Sequence, residues 1–580
     1  MSTARPNKLA APGEGDAGLL VASLVVVLLG AAIVLLPWLA ATLAGVAEPG
    51  GPVAWLLRRP WSGQASVALV AMAVLLSVPV VGLTVLLVRS RRGSSPIDDM
   101  ARFMSSPRDI RGLAAEAVRA DTKRLGCEHV GTGIGLGSAV LNGAQLFGTY
   151  EFSQTWIMGA RAGKTRGVAV RQIVEHHGPV VATSNKPDLH DYCRGPREEL
   201  GHVWVNDPQG IIGEQPTWWW DMAASVTSVE RARDLASLLA NSRTAEDTAP
   251  LDPFFEPEGQ AIAAALLMAA SCGGESITRV TDWLTGDKPD PGVPDPVALL
   301  NEHGYRAMAL RLQQSRGIVH ETRSSLYAVA GSLFRWLEDP RYEAWVAPRG
   351  EDDQRPCFDP SRFVRSNDTL LLASQEGAGS ARAITAALVN ALYIAGVEWA
   401  RVSPGKRCPT PLLFVLDEAA NVCRLPELPN WYSHAGGQGI ILVTIVQSPA
   451  QGHEGWGKGG FGKLVGATNI LVVGRGLSDE DYLADLANLI GDYQRRHRSV
   501  SSGSKGHRSS SYDVRDERIL TVADLRAMPT GRAVLMAAGA RPILLEIVDL
   551  SRQPWAWKVD GSVAYYGTGE HRHEPTGAAA

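Results

Sequence analysis

The segment Trp156-Ile157-Met158-Gly159-Ala160-Arg161-Ala162-Gly163-Lys164-Thr165 stands where an apolar strand should hand over to a helix. Together with Leu412-Leu413-Phe414-Val415-Leu416-Asp417-Glu418 it decides how the chain is read. In a phosphate loop, small residues let consecutive backbone N–H groups point at phosphate oxygens, a lysine reaches the terminal phosphates and the adjoining hydroxyl holds magnesium. Gly159, Ala160, Arg161, Ala162 and Gly163 fit the cradle, Lys164 the reaching cation and Thr165 the metal ligand. The strict spacing asks for glycine at position 158, where this chain has Met158. Taken alone, the segment therefore also reads as a helix cap with a surface lysine.

The second stretch changes that balance. Leu412 to Val422 is a continuous apolar run interrupted by Asp417 and Glu418, as expected of a buried strand delivering two carboxylates to a sheet edge. Asp417 would hold magnesium through its water shell, and Glu418 would polarise an attacking water, because phosphoryl transfer needs a positioned base beside a charge clamp. A capping acid at a helix start is the plainer alternative for the pair, but not for the pair combined with an upstream Gly-Lys-Thr. The next apolar run, Ile440 to Val446, ends in Gln447, an amide placed to sense a terminal phosphate. Lys164, Glu418 and Gln447 are thus the candidate catalytic residues, Thr165 and Asp417 the candidate metal residues, and ATP with Mg2+ the implied cofactors.

Working outward, apolar strand-like runs alternate with helical patterns. Strand candidates are Thr155 to Met158, Pro179 to Thr183, Val203 to Asn206, Thr369 to Ala373, Leu412 to Leu416, Ile440 to Ile445 and Asn469 to Val473. Such alternation predicts an α/β fold with a mainly parallel sheet covered on both faces. Between Glu258 and about Trp345 strand signals fade and helical periodicity takes over, which predicts an all-α insertion. The expected organisation is an N-terminal anchor (1–92), a first nucleotide-binding part (93–257), the insertion (258–355), a second nucleotide-binding part (356–565) and a disordered polar tail (566–580).

The anchor rests on two uncharged runs, at about 19–44 and 65–88, each exceeding the roughly 20 apolar residues that cross a bilayer. Trp38, Trp55 and Trp61 sit where interfacial anchors belong, and Arg89, Arg91 and Arg92 follow the second run, which predicts that both termini are cytoplasmic. In 580 residues the formal net charge is -4, which excludes a basic nucleic-acid coating protein and confines any such contact to a local patch. The six cysteines, Cys127, Cys193, Cys272, Cys357, Cys408 and Cys423, form no paired motif, which argues against a structural zinc site or a disulfide framework.

The order of these elements resembles the conjugative type IV secretion coupling proteins of the TraG/TraD group. The resemblance runs from about residue 17 to 550 and is carried by GARAGKT, VVATSNKPDL (180–189), VWVNDPQG (203–210), VLDEAANVCRLPEL, the IVQS strand and ATNILVVGRGLSDEDYLADLANLIGD (467–492). It implies a RecA-like P-loop NTPase with an inserted all-α domain and two N-terminal transmembrane helices, multi-pass in the inner membrane with its motor in the cytoplasm. It also implies a homo-hexamer that uses ATP to link relaxase-bound single-stranded DNA, the relaxosome, to type IV secretion channel components. The same resemblance carries Ser184, Lys186 and Asp188 over as candidate functional positions. One departure stands out: the family usually has an arginine in the stretch matching His434 to Gly439, and this chain has none there. Arg475 and Arg161 are then the candidates for an intersubunit arginine.

Two rival functions remain open on sequence. An FtsK-type double-stranded DNA pump also joins membrane spans to a P-loop ring, but the helical insertion and the lack of a C-terminal winged-helix module favour a coupling protein. A membrane docking receptor that hydrolyses little ATP is kept open by Met158 and the missing arginine. For DNA contact the candidate is the polar stretch between Gly491 and Arg518, with Arg495, Arg496, Arg498, Lys505 and Arg508, whose plainer reading is a solvated hairpin. Trp218-Trp219-Trp220 reads as packing. Ala435-Gly436-Gly437-Gln438 resembles an ABC-transporter signature but follows the acidic strand instead of preceding it.

Overall fold

The structure, a computed structural model, describes residues 95–243, 255–285, 292–350, 352–375, 381–502 and 508–567, together with Leu39 and Thr42. Its strands are β1 (Ile134–Ala139), β2 (Gln145–Gly148), β3 (Gln154–Ile157), β4 (Val180–Ser184), β5 (Val203–Asn206), β6 (Thr369–Ala373), β7 (Leu412–Asp417), β8 (Ile440–Val446), β9 (Ile470–Gly474), β10 (Asp492–Ser502), β11 (Arg508–Arg518), β12 (Arg532–Ala537) and β13 (Ile543–Glu546). The chain divides into units Met1–Ser94 and Ser95–Ala580, and every one of these strands lies in the second. Apart from Leu39 and Thr42, both expected membrane spans fall outside the described residues.

Successive residues of β7 show why this sequence makes a buried parallel strand. Leu412, Phe414 and Leu416 enter one core with the helices of the insertion, while Leu413 and Val415 enter a second core on the opposite face. All five are fully shielded from solvent. A strand buried on both faces must be apolar throughout, and its backbone groups must all be met by neighbouring strands. Here β4 flanks one side and β8 the other, both parallel.

Eleven strands join in one sheet, in the order β2-β1-β13-β12-β9-β3-β8-β7-β4-β6-β5. From β9 to β5 every pairing is parallel. Beyond β9 the sheet continues antiparallel through β12, β13, β1 and β2. All seven strands read from the sequence are present in the parallel part, whereas the four antiparallel ones were not foreseen. Between β5 and β6 the described elements are helical and run from Val229 to Phe363, starting ahead of Glu258. Trp218 and Trp220 are buried where this region meets the sheet, Trp218 against Trp345 and Phe358.

Arg197 ties the bottom of the sheet together. It is fully buried, and its guanidinium donates to the carbonyls of Ile173, His176, Gly178 and Asn367 and to Thr369 Oγ1. Those acceptors bracket the starts of β4 and β6, so one cation satisfies carbonyls that the turns leave unpaired. Arg382–Val402 is the one described helix long and apolar enough to cross a bilayer, but most of it is buried in the core.

Apart from the main sheet, β10 and β11 form a two-stranded antiparallel ribbon, in register from Asp492↔Arg518 to Ser502↔Arg508. Its base is fastened by Tyr493 stacked on Phe103 at 4.3 Å and by the Arg518–Asp492 ion pair at 3.2 Å. The final helix, Ala556–Tyr566, packs against the helix Asp188–Glu198.

Candidate functional site

The segment Met158 to Thr165 leaves the C-terminal end of β3 between its parallel neighbours β8 and β9. Met158 continues the strand: its N–H donates to Val446 O at 3.0 Å and its side chain is fully buried. The space it fills lies over Gly474, where a Cβ would come within 2.8 Å of Met158 Cγ. Gly159 is the first residue that must be small. Its N–H donates to Arg475 O at 2.9 Å, and a Cβ there would sit 2.3 Å from Gly476 O. The glycine expected at 158 is thus absent because position 158, one residue past β3, is still bonded to β8 and packed in the core, and the close backbone approach falls on Gly159.

The loop then turns through left-handed Arg161 (φ 56°) and Gly163 (φ 87°) into a helix. Its first five residues, Thr165–Ala169, form a π-helical turn before regular α-helix from Val170 to Glu175. Lys164 and Thr165 therefore stand in the first turn beyond the sheet edge.

Across the edge, β7 delivers Asp417 and Glu418, each only 4% exposed. Lys164 Nζ donates to Glu418 Oε1 at 2.6 Å, and Thr165 Oγ1 to Asp417 Oδ2 at 3.4 Å. The backbone beneath is pinned by Thr183 Oγ1, which donates to Asp417 O at 2.9 Å. Glu418 adopts the left-handed conformation (φ 56°, ψ 35°) that long side chains rarely take. Such a backbone costs on the order of 1 kcal/mol and persists only where surrounding contacts enforce it.

Electrostatics separates the two acids. Burial pushes the Asp417 carboxyl up to about 6, with Lys164 pulling down and Glu418 pushing further up. Burial would raise Glu418 as well, but the hydrogen bond and charge of Lys164, aided by Gln451 and Gln447, outweigh it and hold that carboxyl below the usual range. One acid is thus a committed anion and its neighbour titrates close to neutrality.

Gln447, at the end of β8, joins the same cluster: its Nε2 donates to Glu418 Oε1 at 2.5 Å. Strand order explains the convergence, because β8 lies between β3 and β7. A further residue, which sequence reading passed over, completes the arrangement. Gln451 donates from Nε2 to Glu418 Oε2 at 3.0 Å. Its only sequence signal is the spacing of four from Gln447 across Ser448-Pro449, a capped helix start.

The remaining sequence candidates make their contacts apart from this cluster. Ser184 ends β4 and exchanges hydrogen bonds with the backbone of Lys186, while Lys186 and Asp188 are exposed at a helix start. Arg161 is exposed on the loop. Arg475 binds Thr530 through its side chain, and its carbonyl accepts from the Gly159 N–H. The stretch His434 to Gly439 precedes β8 at the opposite edge of the sheet from Gln447, with Gly436 packed on the backbone of Glu151. Among the described residues no group of histidine, cysteine and carboxylate side chains forms a metal cluster.

Fold and site together define an α/β protein with a mostly parallel sheet, a helical region and a lysine-threonine loop facing an acidic pair. Within it, residues 411–530 match the family described as the TraM recognition site of TraD and TraG. That stretch holds Asp417, Glu418, Gln447 and the ribbon, and its similarity to this family agrees with the resemblance read from the sequence. Among solved structures, the chain is similar to the bacterial conjugative coupling protein TrwBdeltaN70 in its unbound form, at 15% identity over 76% of this chain and 94% of that one, with a TM-score of 0.49. It is also similar to plasmid coupling protein TrwB in complex with ADP and Mg2+, at 15% identity over 70% of this chain and 87% of that one, with a TM-score of 0.48. A third likeness is to VirB4 of Thermoanaerobacter pseudethanolicus, at 15% identity over 73% of this chain and 98% of that one, with a TM-score of 0.43. No curated protein matches the chain.

Proposed function

We propose that this chain is a membrane-anchored, ATP-driven DNA translocase of the RecA-like P-loop class. In this role it couples relaxase-bound single-stranded DNA to a type IV secretion channel, working as a homo-hexamer at the inner membrane. The observation that carries the proposal is the meeting of Lys164 and Thr165 with Asp417 and Glu418, with Gln447 closing the group.

The donor set fits a magnesium nucleotide. Main-chain N–H groups from Ala160 to Gly163 with Lys164 would hold the phosphates, Gly159 giving the close backbone approach beneath them, while Thr165 and Asp417 offer hard oxygens for Mg2+. Bound there, the metal would neutralise charge on the terminal phosphates. Glu418, kept ionised by its surroundings, would orient and polarise water, and Gln447, bonded to the same carboxylate, would sense the terminal phosphate. For DNA, the stretch from Arg495 to Tyr512 carries five Arg and Lys residues and no carboxylate, on a chain whose net charge is negative. That composition suits a sequence-independent, salt-sensitive grip on phosphates.

The test is ATP turnover by the full-length chain with and without single-stranded DNA, beside Lys164→Ala. DNA should accelerate turnover, and the substitution should remove it. Turnover indifferent to both would leave a docking receptor in place of a motor.

A further inference from the structure

Both ends of the Gln451 side-chain amide are occupied. Oε1 accepts from the backbone N–H of Gln447 at 2.6 Å, and Nε2 donates to Glu418 Oε2 at 3.0 Å. The first bond decides which way round the amide sits: with its carbonyl taken by an N–H, its donor end faces the carboxylate. The backbone is held too, because Gln451 N–H donates to Ser448 Oγ at 3.2 Å, the N-cap of the helix Pro449–Ala467. A capped first turn with proline leading is a rigid mount.

The two oxygens of Glu418 are held differently. Oε1 is shared by Lys164 at 2.6 Å and Gln447 at 2.5 Å, and both donors have other work at a terminal phosphate. At Oε2 the side-chain donor is Gln451. When Lys164 and Gln447 turn towards phosphate oxygens, the hydrogen bond to Oε2 still anchors the carboxylate. A neutral amide suits this task better than a second cation, since charge-assisted bonds would stabilise the anion further and weaken it as a base.

We propose that Gln451 is the positioning residue that keeps Glu418 aimed at the attacking water during turnover. The proposal rests on the role given above to Glu418 and goes beyond it in naming what holds that carboxylate. Gln451 acts through Glu418 and needs no contact with nucleotide. A displacement of about 1 Å in a catalytic group lowers rate roughly 100-fold while leaving the remaining binding contacts intact, so the effect belongs in kcat.

The experiment compares full-length wild type, Gln451→Met, Glu418→Gln and the double variant, measuring steady-state ATP turnover and the affinity for a fluorescent ATP analogue. Methionine keeps the length of the side chain and removes both hydrogen bonds. Gln451→Met is expected to lower kcat about 10- to 100-fold while KM and analogue affinity stay within about threefold. On the Glu418→Gln background it should make no further difference, because the two act as one unit. Gln451→Ala, which cannot crowd the site, should show the same split.

Wild-type kcat in both Gln451 variants overturns the proposal, as does a loss that adds in full to that of Glu418→Gln. So does a loss confined to nucleotide affinity, the mark of a merely structural role. A wild type without ATP turnover, or one indifferent to Glu418→Gln, instead overturns the function assigned to Glu418.

Discussion

Lys164 and Glu418 hold each other across the sheet edge at 2.6 Å, with side chains only 10% and 5% exposed. On the proposed function, the cation that would hold phosphates and the base that would polarise water are thus paired to one another. Nucleotide entering the loop must draw Lys164 away from its partner, and that competition lowers apparent affinity in proportion to the paired fraction. Glu418→Gln removes the competing charge. It is expected to tighten nucleotide binding several-fold and to reduce turnover by roughly 100-fold or more. Titration with a fluorescent nucleotide beside steady-state turnover checks both, and weaker binding in the variant would count against the exchange of partners.

Restoring the usual glycine spacing at the loop should do harm. Met158→Gly recreates that spacing but empties a fully buried position, at a cost of about 2–5 kcal/mol for a large-to-small core change. Nucleotide affinity should not improve. Gly159→Ala brings a Cβ within 2.3 Å of Gly476 O, which forces the loop off β9, so it should lose nucleotide binding. Chemical denaturation with nucleotide titration tests the pair, and a stable, tighter-binding Met158→Gly would refute the assignment of Gly159.

How much of this was legible beforehand follows from burial. β7 and β8 are apolar on both faces, so their residues announced themselves, and with them the positions of Asp417, Glu418 and Gln447. β1 was not read because Gly135 and Gly137 dilute its pattern, and β2 because it is four residues long with an exposed start. β10 and β11 lack apolar alternation because a ribbon outside the main sheet has no core face to bury. Gln451 escaped notice for a different reason. Its importance lies in a contact with a residue 33 positions away, which no local period encodes.

Asp417 makes the site sensitive to pH. Its folded pKa, about 6, lies above the ordinary carboxylate value, so the folded chain binds this proton more tightly than the unfolded chain. The contribution to stability is therefore present at low pH and is lost as pH rises from about 4 through about 6. Asp417→Asn should melt higher than wild type at pH ~7.5 in the absence of magnesium, and the gap should close towards pH ~5. Magnesium with nucleotide should stabilise wild type more than the variant. Melting curves from about pH 5 to 8 measure this, and a pH-independent gap would contradict the buried-acid account.

The ribbon offers a test of the proposed DNA contact. Replacing Arg495, Arg496 and Arg498 together by serine should weaken binding to single-stranded oligonucleotides and reduce the slope of log affinity against log salt by about 2, near 0.7 for each phosphate no longer neutralised. Turnover without DNA should be unchanged. An unaltered slope would contradict a DNA contact at the ribbon.

The most direct measurement is a structure of the chain with Mg2+ and a non-hydrolysable ATP analogue. The expected result has Lys164 released from Glu418 and bonded to the terminal phosphate, Thr165 on the magnesium ion, and Asp417 facing that ion directly or through its water shell. A nucleotide bound away from the 159–165 loop, or bound there with the Lys164–Glu418 pair intact and no metal beside Asp417, would contradict the motor.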